Sequence, residues 1–193
     1  MSSPSRDAKP SASLAGSGLA SHEILRAVLL ALAGSVLLAL SAKLKVPFHP
    51  VPMTMQTMVV LVLGVAYGSR LGAATVALYL LQGAIGLPVF ADTPERGIGL
   101  AYMAGPTGGY LAGFLAAAWF AGMVGQGGVG RMAAAMLGGH AIIFAFGLAW
   151  LAAAIGPEKA WILGAAPFLL ATLLKSALGV ALLAGLRAWA PRR

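Results

Sequence analysis

Charged positions divide the chain into long apolar stretches. Uncharged runs extend over 27–42, 46–69, 71–91, 97–130, 132–157 and 160–186, with Lys175 as the single charge inside the last of them. A membrane-spanning helix needs roughly 20 predominantly apolar residues. Each run is of that order, the first being slightly short. The pattern therefore predicts an all-α membrane protein with six transmembrane helices, formed by residues 22–193.

Turn signals refine these boundaries. The fourth run is too long for one span, and its Gly-Pro-Thr-Gly-Gly sequence at 105–109 is typical of a turn. We therefore expect a helix to begin near Thr107. Three prolines keep residues 46–52 out of helix, because proline lacks the backbone N–H that a helix needs. This segment is predicted to be a loop between the first two spans.

The first 21 residues are small and polar, with little apolar surface to bury. Such a composition predicts a disordered tail, here on the cytoplasmic side. A cleaved signal peptide is the alternative, since Ala39-Leu40-Ser41 resembles a cleavage site. The long leading segment with little positive charge argues against cleavage.

Composition excludes a soluble protein. Hydrophobic residues make up 60% of the chain and charged residues 9%, whereas soluble domains contain about 25% charged residues. The net charge of +8 comes from basic residues scattered between apolar runs. That scatter suits loops beside anionic lipid headgroups of the bilayer and does not suit nucleic acid. The absence of cysteine excludes disulfides and Cys-ligated metals.

The basic residues also predict an orientation in the cell (inner) membrane, because cytoplasmic loops carry more Lys and Arg. With both termini in the cytoplasm, eight basic residues lie inside and four outside. The inner set is Arg6, Lys9, Arg26, Arg70, Arg131, Arg187, Arg192 and Arg193, and the outer set is Lys43, Lys45, Arg96 and Lys159. The outer loops are then 43–52, 91–106 and 155–160, and the first two are long enough to cover a bound molecule.

Lys175 is the sharpest candidate for chemistry. It lies more than ten residues from any other charge, inside an apolar helix. A buried ammonium is costly and usually faces a cavity or a partner, and the sequence offers no acid within the spans to pair with it. Thr172 shares its helix face. The lysine would therefore contact backbone carbonyls or a polar ligand; the alternative is that it extends along the helix to the membrane interface.

Other polar side chains could join it. Tyr79 and Gln82, with Thr75, form a stripe on the third predicted helix, Gln56 begins the second, and Thr107 and Tyr110 share a face on the fourth. Meeting near the outer half, they would line a mostly apolar pocket with a few placed donors and acceptors. Hydrogen bonding between helices is the alternative role for such a stripe.

The first helix carries a flat face of small residues at Ala27, Ala31 and Ser35. Small residues allow close helix approach, so this face is a candidate docking surface for another membrane subunit. Enzyme motifs are absent: there is no phosphate-binding Gly-x-x-x-x-Gly-Lys-Ser/Thr loop, no Gly-x-Ser-x-Gly elbow and no His-Glu-x-x-His site. We predict a protein that is not an enzyme and needs no cofactor or metal.

Three segments together resemble the BioY family, the biotin-binding (S) components of energy-coupling-factor (ECF) transporters. They are Val51–Thr57 (VPMTMQT), the run Gly72–Ala91 ending YLLQGAIGLPVFA, and Gly105–Phe114 (GPTGGYLAGF). The resemblance covers roughly residues 24–186. It implies a six-helix fold that binds biotin near the outer face. It also implies two kinds of partner, a transmembrane coupling (T) component and ABC-type ATPases.

One position departs from the family pattern. Where that pattern reads Pro-Gly-Asp-x-x-Lys, this chain has Leu170-Ala171-Thr172-Leu173-Leu174-Lys175. The resemblance implies that the Asp and Lys bind the ureido group, so here the lysine lacks its acidic mate.

The function that follows is biotin uptake with partner subunits. The alternatives are an S component for another vitamin, with Thr172 as the specificity change, or a small facilitator that works without ATPases.

Overall fold

The structure, a computed structural model, describes residues 14–46 and 53–189, with side chains from His22 onward except at Val46. Its elements, in chain order, are α1 (Leu14–Lys43), β1 (Lys45–Val46), β2 (Met53–Thr54), α2 (Gln56–Ala84), α3 (Gly99–Met103), α4 (Gly108–Val124), α5 (Val129–Ile155), α6 (Pro157–Gly164), a 3-10 turn (Ala166–Phe168) and α7 (Leu169–Trp189). The prediction of a helical membrane protein is confirmed, and α4 begins where the turn signal placed it.

The predicted tail is only partly covered. Residues 1–13 lie outside the described residues, so disorder there stays a prediction. Helix α1 begins at Leu14, and the last eight residues assigned to the tail are therefore helical. The proline-rich loop at 47–52 also lies outside the described residues. The strands that flank it, β1 and β2, pair antiparallel, with Lys45 opposite Thr54.

Helix α2 is a hairpin of two helical arms, 56–67 and 69–84. Gly68 interrupts it with φ 80° and ψ 170°, a conformation that is essentially restricted to glycine. The side chains of Gln56 and Tyr79 are hydrogen-bonded at 2.6 Å, whereas a continuous helix would separate them by about 34 Å. The arms therefore lie side by side, and the split predicted at Arg70 corresponds to this reversal.

Within the described residues, the long helices form six rods. Four helices in the described residues are long and apolar enough to cross a membrane, and the shorter α4 is also apolar. Because α2 folds back on itself, it contributes two rods to the total. The sixth rod consists of α6, the 3-10 turn and α7, and the sequence did not predict its interruption, which contains Pro167. Large apolar side chains such as Leu32, Leu173 and Leu178 are exposed, as contact with lipid requires.

Helix α4 packs closely between α2 and α5. Gly64 of α2 lies against the backbone of Ala118, and Gly113 of α4 lies against Ile143 of α5. Across the α2 hairpin, a methyl group at Gly72 would come within 2.8 Å of the Gly64 Cα atom. These contacts leave no room for larger side chains, so α2, α4 and α5 form the tightly packed centre of the molecule.

The small face of α1 turns partly inward. Ser35 is fully buried, and its hydroxyl accepts a hydrogen bond from the Gln82 amide at 3.2 Å. The inclusion of Ser35 in an outward docking surface was therefore wrong, because the second arm of α2 already covers it. Ala27 and Ala31, nearer the start of α1, are half-buried and keep part of this face open.

Candidate functional site

A cavity of about 350 Å³ lies at the end of the molecule where α2 and α4 begin. It is also bounded by α5, by the region between α6 and α7, and by the segment that follows α2. Its lining comprises Met53, Thr54, Gln56, Thr57, Ala91, Asp92, Arg96, Tyr102, Pro106, Thr107, Tyr110, Leu111, Phe114, His140, Ile143, Phe144, Leu151, Leu163, Gly164, Phe168, Thr172 and Lys175. The volume falls in the range of about 300–1,000 Å³ that is usual for small-molecule sites.

A polar cluster on three helices forms one wall of the cavity. The ammonium of Lys175 donates to the Thr57 hydroxyl at 3.4 Å, and that hydroxyl lies 3.2 Å from Nε2 of His140. The other ring nitrogen of His140 is 2.9 Å from the Met136 carbonyl oxygen. A carbonyl oxygen accepts hydrogen bonds and never donates them, so Nδ1 carries a proton, and in the neutral ring Nε2 then accepts from the Thr57 hydroxyl. The cluster joins α2, α5 and α7.

Lys175 is buried, with 8% of its surface exposed. An ammonium group has three N–H donors, and within residues 14–46 and 53–189 one of them has a hydrogen-bond acceptor, Thr57. In the same ranges, no acidic side chain forms an ion pair with Lys175. Two donors of a buried cation are thus available to a molecule in the cavity.

The structure brings most of the predicted site residues together. Five line the cavity: Gln56, Thr107, Tyr110, Thr172 and Lys175. The Tyr110 hydroxyl also donates to the Gly164 carbonyl oxygen at 2.9 Å, which ties α4 to the end of α6.

Two predicted residues lie elsewhere. Tyr79 is fully buried behind Gln56, to which it is hydrogen-bonded, so it orients a lining residue without lining the cavity itself. Gln82 is bonded to Ser35 of α1 and is not part of the cavity. Tyr79 and Gln82 therefore bond to other helical segments, which was the alternative role for this stripe, whereas Thr75 donates to the Leu71 carbonyl oxygen of its own helix.

The exposed side of the cavity, here called its mouth, includes Asp92 and Arg96, whose side chains are 25% and 71% exposed. Asp92 forms ion pairs with Lys45 and, four residues along, with Arg96. The hydrogen bond from Lys45, with the nearby positive charges, lowers the pKa of the Asp92 carboxyl from its ordinary value. Asp92 therefore stays ionised and holds the segment after α2 against β1.

The sequence did not single out several lining residues. Thr57 stands next to Gln56 in the sequence. His140 of α5 is hydrogen-bonded to Thr57 of α2, and its ring also lines the cavity. Aromatic walls come from Tyr102, Phe114, Phe144 and Phe168. No group of three His, Asp or Glu side chains within the described ranges could hold a metal ion. The arrangement suits a small molecule with an apolar body and a few polar atoms.

Fold and site together define a multi-pass helical membrane protein with a ligand-sized cavity. A family model described as the BioY family matches residues 10–192. The chain is 38% identical over 144 residues to a probable biotin transporter BioY of Pyrococcus horikoshii, covering 75% of this chain and 85% of that protein. It is also 38% identical over 164 residues to the biotin transporter BioY of Rhizobium etli, covering 77% and 86%. The chain belongs to the BioY family.

A solved structure shares the fold. It is the crystal structure of the S-component for biotin from an ECF-type ABC transporter, which matches with a TM-score of 0.73 over 86% of this chain and 93% of that one. At 22% sequence identity, this likeness concerns the course of the helices.

Proposed function

We propose that the cavity binds biotin and that this chain is the S component of an ECF-type transporter. The observation that carries the proposal is the buried ammonium of Lys175 facing a mostly apolar cavity. Biotin has a ureido carbonyl that can accept from this ammonium, two ureido N–H donors, and an apolar ring and chain. The names of the relatives from P. horikoshii and R. etli agree with this ligand.

Each polar lining residue then has a role. Lys175 donates to the ureido oxygen, and Thr172 and Gln56 accept from the ureido N–H groups, with Tyr79 fixing the Gln56 amide. Thr107, just before α4, and Tyr110 in its first turn contact the ligand from this side. An unpaired buried polar group costs about 1–3 kcal/mol, so analogues without the ureido group should bind much more weakly.

The purified chain alone tests the ligand. Equilibrium binding of biotin is measured beside thiamine and riboflavin at the same concentrations. Saturable binding of biotin in preference to the others supports the proposal. Preference for either of the others would replace it with an S component for another vitamin.

The full transporter would include partners. We infer that the chain spans the cell (inner) membrane six times, with both termini in the cytoplasm. The cavity would open outward beneath segment 91–106; most of the other predicted cover, 43–52, lies outside the described residues. Because the chain has no cysteine, single cysteines at Glu95 and Gln126 can test this topology. A membrane-impermeant thiol reagent should label the first from outside and the second from inside; the reverse result would invert the orientation.

Release into the cytoplasm would depend on a T component and ATPases. The half-open part of α1 at Ala27 and Ala31 is the proposed docking surface. Ala31→Trp should abolish co-purification with the T component and leave biotin binding intact, whereas Leu32→Trp on the exposed side of α1 is the matched control. Unchanged co-purification of Ala31→Trp would refute this placement. Biotin transport in vesicles without ATP would favour the alternative of a small facilitator that works without ATPases.

A further inference from the structure

The end of α1 is joined to the segment after α2 through one ammonium group. Nζ of Lys43 donates to the carbonyl oxygens of Phe90 at 3.0 Å and Thr93 at 2.8 Å, and to the Thr93 hydroxyl at 2.9 Å. An ammonium group has three N–H donors. All three are therefore used on a stretch of four residues that is 47 to 50 positions away in the sequence.

This stretch forms part of the cavity mouth. Ala91 and Asp92 line the cavity, between the two residues that Lys43 binds. Phe90 is buried, with 1% exposure; its ring packs edge-on against Tyr79 at 5.4 Å and stacks on Tyr102 at 5.0 Å. The position of the mouth segment is thus fixed by the aromatic rings on one side and by Lys43 on the other.

Lys43 is exposed like the other cations nearby, but it differs from them in its acceptors. Lys45 and Arg96 pair with Asp92, but their side chains are 55% and 71% exposed, and exposed ion pairs contribute little to stability. The acceptors of Lys43 belong to the buried residues Phe90 and Thr93. Hydrogen bonds from a charged donor to such groups are the strong class, so Lys43 contributes most of the polar attachment between α1 and this segment.

We propose that Lys43 is a positioning residue that holds segment 90–93 over the cavity mouth and thereby slows escape of the ligand. The part that concerns ligand escape rests on the proposed function. Lys43 ends the helix that carries the proposed docking surface at Ala27 and Ala31. A displacement of α1 by a partner would therefore pull directly on the segment at the mouth.

A ligand-free measurement tests the attachment itself. The cysteine-free chain receives Glu95→Cys, an exposed position beside the segment, and a nitroxide spin label. Lys43→Met, which keeps an apolar stem of similar length, should increase the mobility of the label. Lys43→Arg should restore most of the immobilisation, and Lys159→Met on exposed α6 is the matched control. Unchanged mobility in Lys43→Met overturns the proposal, whether or not biotin binds.

Ligand kinetics test the consequence. In unlabelled protein, Lys43→Met should speed biotin dissociation at least about fivefold, as loss of a charge-assisted hydrogen bond predicts, with a smaller change in the association rate. Lys43→Arg should recover the slow dissociation. A mobile label with unchanged dissociation would overturn the role in ligand escape. If the wild-type chain binds no biotin, the proposed function fails, and the label measurement alone decides the attachment.

Discussion

Removal of the Lys175 ammonium should separate ligand binding from folding. In Lys175→Met the stem that packs in the apolar interior is retained and the charge is lost. A hydrogen bond to a charged group contributes about 1.5–3 kcal/mol, and about 1.4 kcal/mol corresponds to a tenfold change in affinity. Biotin affinity should therefore fall by about tenfold to a hundredfold. Lys175→Ala should lose at least as much, because it also removes the stem.

Stability should respond differently. Lys175 is 8% exposed, and its ammonium has one acceptor among the described residues, at 3.4 Å. Such a group is costly to remove from water and is poorly compensated. Replacement by an apolar side chain of similar volume should leave the thermal midpoint of the ligand-free protein unchanged or raise it. A residue that merely stabilised the fold would give the opposite result.

The assay is isothermal titration calorimetry in detergent, with thermal unfolding of the same samples. Lys159→Met, on the exposed surface of α6, controls for loss of a positive charge. An analogue without the ureido carbonyl should bind the wild-type protein and Lys175→Met equally well, because the contact in question is then absent from both. Wild-type biotin affinity in Lys175→Met would remove Lys175 from the site. Loss of binding together with loss of stability would reduce its role to a structural one.

Three further predictions concern single positions. Gly68→Ala should lower the free energy of unfolding by about 1–3 kcal/mol, because an alanine cannot easily adopt this backbone conformation. Thermal unfolding should show the loss, and a midpoint equal to that of Gly130→Ala would refute the hairpin. Because the pKa of Asp92 is lowered in the folded protein, its ion pairs contribute fully to stability above about pH 4. This contribution is lost as the pH falls through the lowered pKa. Acidification should therefore destabilise wild-type protein more than Asp92→Asn, and equal curves would contradict the ion pair. Thr172→Asp should strengthen biotin binding several-fold, because a carboxylate accepts more strongly than a hydroxyl; weaker binding in a titration would show that threonine belongs to a different ligand geometry.

The helices could be predicted from the sequence because hydrophobic length is a local property. The runs between charges correspond to the rods, and the Gly-Pro-Thr-Gly-Gly turn correctly marked the start of α4. The break between α6 and α7 was missed, since one proline within an apolar run is compatible with a bent helix as well as with an interruption. The reversal inside α2 was placed near Arg70 by charge, although Gly68 is the residue that permits it.

The site could be predicted from the sequence where burial of a residue would be energetically costly. A lone cation in an apolar helix has few tolerable surroundings, and Lys175 does line the cavity. Gln82 illustrates the limit of this reasoning. Helical spacing shows which residues share a face, but the neighbour of that face depends on packing between distant segments. Here the neighbour is α1, whose buried Ser35 satisfies the amide.

The distribution of charge also orients the proposed ligand. The neighbours of Lys175 in the polar cluster, Thr57 and His140, are uncharged hydrogen-bonding groups, so the interior end of the cavity carries an uncompensated cation that favours a strong neutral acceptor or an anion. At the mouth, the two carboxylates of Asp92 and Glu95 are outnumbered by three cations, which leaves a net charge of +1 near solvent. The cations are Lys43, Lys45 and Arg96. A carboxylate keeps most of its hydration at the mouth and would lose it in the interior, where desolvation of a charge is expensive. Desolvation of the neutral ureido carbonyl of biotin costs far less free energy. The ligand should therefore enter ring first, with its carboxylate toward the mouth.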